Sequence, residues 1–216
     1  MNPRALRSID LHSDAGRIEG LYRDIETPVA VAVICHPHPL FGGTFHNKVV
    51  FRAARGLERA DVATIRFNFR GAGASQGKHD AGVGEERDFD AALNWIVARH
   101  PGLPVFVGGF SFGSWVSTRA GCSRAIVDAM FLIGAPINKY DLGYLRNCDK
   151  PLLLIQGSED EHGDAEKLGV LAAACKEAEL IVVAGADHFF KDQVEVVEET
   201  IMDWANRIVA ERRIEN

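Results

Sequence analysis

Residues 105–117 read Val105-Phe106-Val107-Gly108-Gly109-Phe110-Ser111-Phe112-Gly113-Ser114-Trp115-Val116-Ser117. The first four residues suit a buried strand and the last four suit a helix. Between them stands Gly109-Phe110-Ser111-Phe112-Gly113, a Gly-x-Ser-x-Gly pattern at a strand-to-helix turn. A turn this sharp has no room for side chains at the two glycine positions, and it holds its serine in a strained backbone conformation. The strain points the hydroxyl out of the turn, with the N-terminus of the following helix behind it. Five residues can match by chance, so the flanking chain has to supply the context.

Outward from this turn, strand and helix patterns alternate. Toward the N-terminus, Leu6 to His12 and Arg17 to Arg23 read as a hairpin turning at Asp14-Ala15-Gly16. Val29 to Cys35 is a continuous apolar run, which suits a strand buried on both faces of a sheet. After a loop rich in glycine and proline, Pro37 to Thr44, a helix is expected over Val49 to Arg59, with Val50, Ala53, Ala54 and Leu57 on one face. Ala63 to Phe67 is a strand and Gly71 to Gly84 a loop. Glu85 to Arg99 is a helix that shows Phe89, Ala92, Leu93 and Ile96 on one face. Beyond the turn, strands are expected at Val127 to Ile133, Pro151 to Ile155 and Leu180 to Val183. Helices are expected at Asp164 to Ala178 and Gln193 to Glu211. Strands alternating with helices give an α/β fold, a mostly parallel central sheet with helices on both faces. The short stretch from Gly134 to Pro151 leaves no room for a lid domain, which predicts an open site.

The bulk properties narrow the setting. The 216 residues fit one domain spanning 1–216. Hydrophobic residues make up 47% and charged residues 25%, ordinary for a globular protein. A net charge of −6 and a pI near 5.7 speak against nucleic acid or an anionic membrane as partner. No apolar run is long enough to span a bilayer. Met1-Asn2-Pro3-Arg4-Ala5-Leu6 lacks the apolar core of a secretion signal. Cys35, Cys122, Cys148 and Cys175 form no C-x-x-C motif, so reduced thiols and a cytoplasmic location are expected. Nothing in the sequence favours a particular oligomeric state.

A serine is a weak nucleophile and needs a base within reach, and that base needs a third group to fix its tautomer. The chain after Ser111 offers both in order. Past the run Leu152 to Ile155 comes Gln156-Gly157-Ser158-Glu159-Asp160-Glu161, a carboxylate cluster at the C-terminal end of a strand, the active edge of a parallel sheet. Asp160 is the preferred acid, and Glu159 and Glu161 compete with it on chemistry alone. Past Ile181-Val182-Val183 comes Ala184-Gly185-Ala186-Asp187-His188-Phe189-Phe190, where His188 could approach Ser111 across the strand ends. Asp187 reads as a structural or helix-start residue.

Acyl transfer also needs donors for a developing oxyanion. One is the backbone N–H of Phe112. The other is expected in His36-Pro37-His38-Pro39-Leu40-Phe41-Gly42-Gly43-Thr44, where neither proline has an N–H. His38 N–H is the first choice and Leu40 N–H the second. Phe41, Phe110 and Phe189 are expected to line the substrate site. His36 reads as a hydrogen-bonding anchor of its loop. His36, His38 and His46 have no local cysteine or carboxylate cluster, so no metal is expected. Phe69-Arg70-Gly71-Ala72-Gly73-Ala74-Ser75-Gln76-Gly77 has the wrong glycine spacing for a dinucleotide loop and reads as a tight loop beside the active edge. No cofactor is expected.

Taken together these motifs resemble the α/β-hydrolase superfamily, and more narrowly its small lidless bacterial members of the dienelactone-hydrolase-like group. The likeness runs from about Ala30 to the last helix. It is most specific at His36-Pro37-His38-Pro39-Leu40, Gly42-Gly43-Thr44 and Asn47-Lys48. Arg70-Gly71-x-Gly73-x-Ser75 is similar to a common superfamily loop, with Asn68 where an aspartate is frequent. The resemblance implies Ser111, Asp160 and His188 as a catalytic triad. Dienelactone hydrolases proper carry a cysteine where Ser111 stands. The function this implies is hydrolysis of carboxylic esters of small molecules through an acyl-enzyme on Ser111. Thioesterase or small-peptidase activity would use the same residues, and a non-catalytic binding protein could share the scaffold.

Overall fold

The apolar runs divide their residues between two faces of one sheet. In β3 (Ala30–Cys35) all six residues are buried. Ala30, Ala32 and Ile34 pack with α1 (Lys48–Arg59) and α5 (Val194–Glu215), while Val31, Val33 and Cys35 join the core under α2 (Val83–Arg99) and α3 (Phe112–Ser123). The same two-residue period runs through β4 (Val62–Phe67), β5 (Val105–Phe110), β6 (Ala129–Ile133) and β7 (Leu152–Gly157). The computed structural model describes residues 5–215. Met1 to Arg4, part of the stretch read above for a secretion signal, lie outside the described residues.

The sheet has eight strands in the order β1-β2-β4-β3-β5-β6-β7-β8. The hairpin of β1 (Leu6–Ser13) and β2 (Gly16–Arg23) is antiparallel, and β2 joins β4 antiparallel. All pairs from β4 through β8 (Ala178–Val183) are parallel. The α/β fold expected from the alternating pattern is therefore present, with helices on both faces. Between β6 and β7 there is only a 3-10 turn, Gly143–Asn147, and no lid domain. No helix among the described residues is long and apolar enough to cross a membrane.

Boundaries shift by a few residues in several elements. β6 starts at Ala129 rather than Val127, and α5 ends at Glu215 rather than Glu211. The largest shift is at the end of the helix after β7. The helix expected to run from Asp164 to Ala178 ends earlier, as α4 (Ala165–Ala173). Asp164 caps its start by accepting from the N–H groups of Glu166 and Lys167. Ala178 is drawn into the sheet opposite Leu152, and Leu152 N–H donates to Glu177 O at 2.8 Å. Pairing with β7 thus overrides the helical preference of this segment.

Candidate active site

Ser111 links β5 to α3 with φ 54° and ψ −124°, a region that a residue with a side chain rarely adopts. Its N–H donates to Ile133 O at 2.9 Å, so the strand pairing holds up to the strained residue. A Cβ on Gly109 would lie 2.5 Å from Cys35 O, and one on Gly113 would lie 2.4 Å from His36 O. The turn is pressed against the end of β3, and both flanking positions require glycine. Phe112 is the first residue of α3, where a backbone N–H has no acceptor within the helix.

Three side chains from three strand ends meet in one hydrogen-bond chain. Ser111 Oγ lies 3.0 Å from His188 Nε2, and His188 Nδ1 lies 2.7 Å from Asp160 Oδ2. Asp160 is buried, whereas Glu159 and Glu161 are exposed. Its Oδ1 accepts from the N–H groups of His162 at 2.8 Å and Gly163 at 3.1 Å, and its Oδ2 accepts from Gln156 Nε2 at 2.6 Å. Burial pushes the Asp160 pKa up. The hydrogen bond and charge of His188 and the two backbone donors outweigh that push and leave it below the usual carboxylate value. Asp187 accepts from the N–H groups of Phe189 and Lys191 and so shapes the turn that carries His188.

The loop after β3 is tied from within. His36 is fully buried, with Nδ1 2.6 Å from Pro37 O and Nε2 accepting from Phe69 N–H at 2.9 Å. Burial lowers its pKa to about 4. His38 O accepts from the N–H groups of Phe41 and Gly43, and its ring packs between Phe41, His79 and Phe112. Burial and the neighbouring His79 lower the His38 pKa. Leu40 N–H is engaged by His38 Nδ1 at 3.2 Å, and Leu40 does not line the cleft. That removes its N–H as an oxyanion donor. No group of three metal-ligating side chains occurs among the described residues.

The Ser111 cleft has a volume of about 340 Å³. His38, Phe41, Ser111, Phe112, His188 and Phe189 line it. Phe110, expected there as a neighbour of Ser111, does not. Its side chain is fully buried on the α1/α5 face, where its ring lies 4.8 Å from that of His188. The two-residue period of β5 sends it below the cleft floor. The Arg70 loop is bound by structural contacts: Arg70 pairs with the fully buried Asp88 and with Asp14, and Ser75 Oγ donates to Asn68 O at 2.7 Å.

Residues 41–212 match the family described as alpha/beta hydrolase domain. The chain belongs to that family. An uncharacterized protein of Rickettsia prowazekii is 36% identical over 200 residues, covering 88% of this chain and 84% of that one. A protein of unknown function from Agrobacterium tumefaciens superposes with a TM-score of 0.86 at 32% identity, covering 93% of this chain and 95% of that one. A Xanthomonas campestris protein, described as an α/β serine hydrolase without a lid, superposes with a TM-score of 0.85 at 28% identity, covering 96% of both chains.

Some of the site in this alpha/beta hydrolase is not flagged by any sequence motif. Gln156 is fully buried and joins Asp160 to Gly163 O and Ala135 N–H. His162 packs edge-on against His188, with ring centroids 4.6 Å apart. Pro136, Lys139 and Tyr140, from the β6–β7 connection, form part of the cleft wall. The one available signal was Gln156, a polar residue closing an apolar strand run.

Proposed function

We propose that this alpha/beta hydrolase cleaves carboxylic esters of small molecules through an acyl-enzyme on Ser111. The observation that carries the reading is the continuous chain from Asp160 through His188 to Ser111, opening on a cleft. Asp160 Oδ2 accepts a hydrogen bond from His188 Nδ1–H, which keeps the proton on Nδ1 and leaves Nε2 as the base facing Ser111 Oγ. As Oγ attacks the substrate carbonyl, its proton passes to Nε2. The oxyanion then accepts from Phe112 N–H at the start of α3 and from His38 N–H in the tied loop. His188 returns the proton to the leaving alcohol. It then takes one from water for deacylation, which restores Ser111. The serine-hydrolase description of the Xanthomonas campestris relative supports this reading.

The test is Ser111→Ala assayed against a panel of 4-nitrophenyl esters, thioesters and anilides, together with labelling by a fluorophosphonate. Wild type should react with the probe and hydrolyse esters. The folded variant should lose labelling and at least roughly 10³-fold in kcat. Equal turnover by the variant, or no labelling of wild type, would overturn the assignment.

A further inference from the structure

The loop between β3 and α1 brings two polar side chains, His38 and Asn47, to the wall of the Ser111 cleft. In each, the backbone already occupies the acceptor atom. Leu40 N–H donates to His38 Nδ1 at 3.2 Å. The N–H groups of Val49 and Val50 donate to Asn47 Oδ1 at 2.9 and 3.3 Å, so Asn47 caps the start of α1. What remains for the cleft is a donor in both cases. A neutral imidazole that accepts at Nδ1 carries its proton on Nε2, and an amide whose oxygen is engaged offers its NH₂ group. Burial and the neighbouring His79 hold the His38 ring in the neutral form. His79 packs on that ring with centroids 4.6 Å apart, and its Nδ1 lies 2.8 Å from Oε1 of the fully buried Glu85.

His38 Nε2 and Asn47 Nδ2 have no hydrogen-bond acceptor among the described residues, and neither is a buried unpaired atom. Both donors are therefore accessible. The rest of the wall leans the same way. Lys139 is a further donor, and no Asp or Glu side chain lines the cleft, although the chain carries 30 of them.

We propose that His38 Nε2–H and Asn47 Nδ2–H bind an acceptor oxygen that the substrate carries in addition to its scissile ester. This rests on the esterase reading and narrows it: the preferred substrates are esters bearing a second carbonyl or carboxylate group, rather than plain alkyl esters. Backbone hydrogen bonds fix both side chains before substrate arrives, so little ordering entropy offsets the contact. Water satisfies the donors in the free cleft. Exchanging it for a substrate oxygen is worth about threefold to tenfold in kcat/KM per hydrogen bond.

The experiment compares kcat/KM within matched esters, each ratio corrected for the rates of hydrolysis by hydroxide. On the acyl side these are 4-nitrophenyl hexanoate, 4-nitrophenyl 5-oxohexanoate and mono-4-nitrophenyl adipate. On the alcohol side they are isobutyl and acetonyl butanoate. Wild type should favour an oxygen-bearing member by about threefold to tenfold. A preference for the adipate identifies the oxygen as a carboxylate, and a preference for a ketone identifies it as a neutral carbonyl; both support the inference. Asn47→Asp keeps the helix cap but replaces the donor facing the cleft with an acceptor. It should abolish the preference for a ketone and reverse that for the adipate, with the melting temperature retained. His38→Phe keeps the backbone N–H and the ring packing, and should lower the same ratios about threefold. Corrected ratios near one in wild type, or a preference that survives both substitutions, would overturn the inference while the esterase reading stands. Wild type that shows neither fluorophosphonate labelling nor ester turnover would remove both.

Discussion

Gln156 Nε2 and His188 Nδ1 meet the same oxygen of Asp160: Oδ2 lies 2.6 Å from the amide and 2.7 Å from the imidazole. The amide also donates to Gly163 O at 2.8 Å, and its oxygen accepts from Ala135 N–H at 2.8 Å. One side chain at the end of β7 therefore fixes the carboxylate, the loop that turns it toward His188, and the chain leaving β6. Gln156→Leu would strand all three partners in the interior. A stability loss of about 1–3 kcal/mol is expected in urea unfolding. Ester turnover should fall by about tenfold as the Asp160–His188 geometry loosens. An unchanged midpoint and rate would show that the amide merely fills space.

Asp160 and Glu159 are neighbours in sequence with opposite surroundings. Asp160 accepts hydrogen bonds from His188, Gln156 and two backbone N–H groups, while Glu159 faces solvent. Asp160→Asn reverses the hydrogen bond that fixes the His188 tautomer and should lower kcat on the order of 10³- to 10⁴-fold. Glu159→Gln should stay within about twofold, as for an exposed substitution away from the site. Steady-state kinetics on one activated ester decides it. The reverse order would move the acid to Glu159.

Most of the sheet could be read from the chain because the apolar runs are short and separated by helix-period segments. Ser111, Asp160 and His188 could be picked out because each follows a strand, and parallel strands end on one edge. What the pattern hides is set by three-dimensional contact. The end of α4 depends on β8 pairing with β7, which overrides a helix-compatible stretch. Phe110 follows the strand period and lies beneath His188, although it adjoins Ser111 in sequence. Tyr140 reaches the cleft by stacking on Trp115, with centroids 4.2 Å apart, and no spacing rule announces such a contact.

His36 makes the folded state sensitive to mild acid. In the unfolded chain it takes up a proton near pH 6.5, whereas burial holds it neutral in the fold down to about pH 4. Between those values the unfolded state binds more protons, so stability falls as pH falls. The difference amounts to roughly 3 kcal/mol once pH reaches the lower value. The lowered pKa of Asp160 works in a separate window: its stabilisation is complete above 3.8 and is lost only below that. Urea midpoints at pH 7, 5.5 and 4.5 should therefore decline steadily. His36→Gln should flatten the decline while lowering stability at pH 7, because the bond from Phe69 N–H is weakened. An identical slope in the variant would assign the acid sensitivity to other groups.

Phe41 and Phe110 separate substrate contact from packing. Phe41 stands at the cleft with 86% of its surface exposed, while Phe110 is fully buried between the sheet and α5. Phe110→Ala opens a cavity under His188 and should cost about 3–5 kcal/mol of stability. Phe41→Ala removes little buried surface and should leave the melting temperature within about 2 °C. Its effect should appear in KM, rising as the ester's apolar group grows, because the ring can be shielded only by a bound substrate. Melting curves and KM across acyl chains of increasing length check both. A Phe41→Ala variant with unchanged KM for every ester would place the acyl group against another wall of the cleft, such as Tyr140 or Phe189.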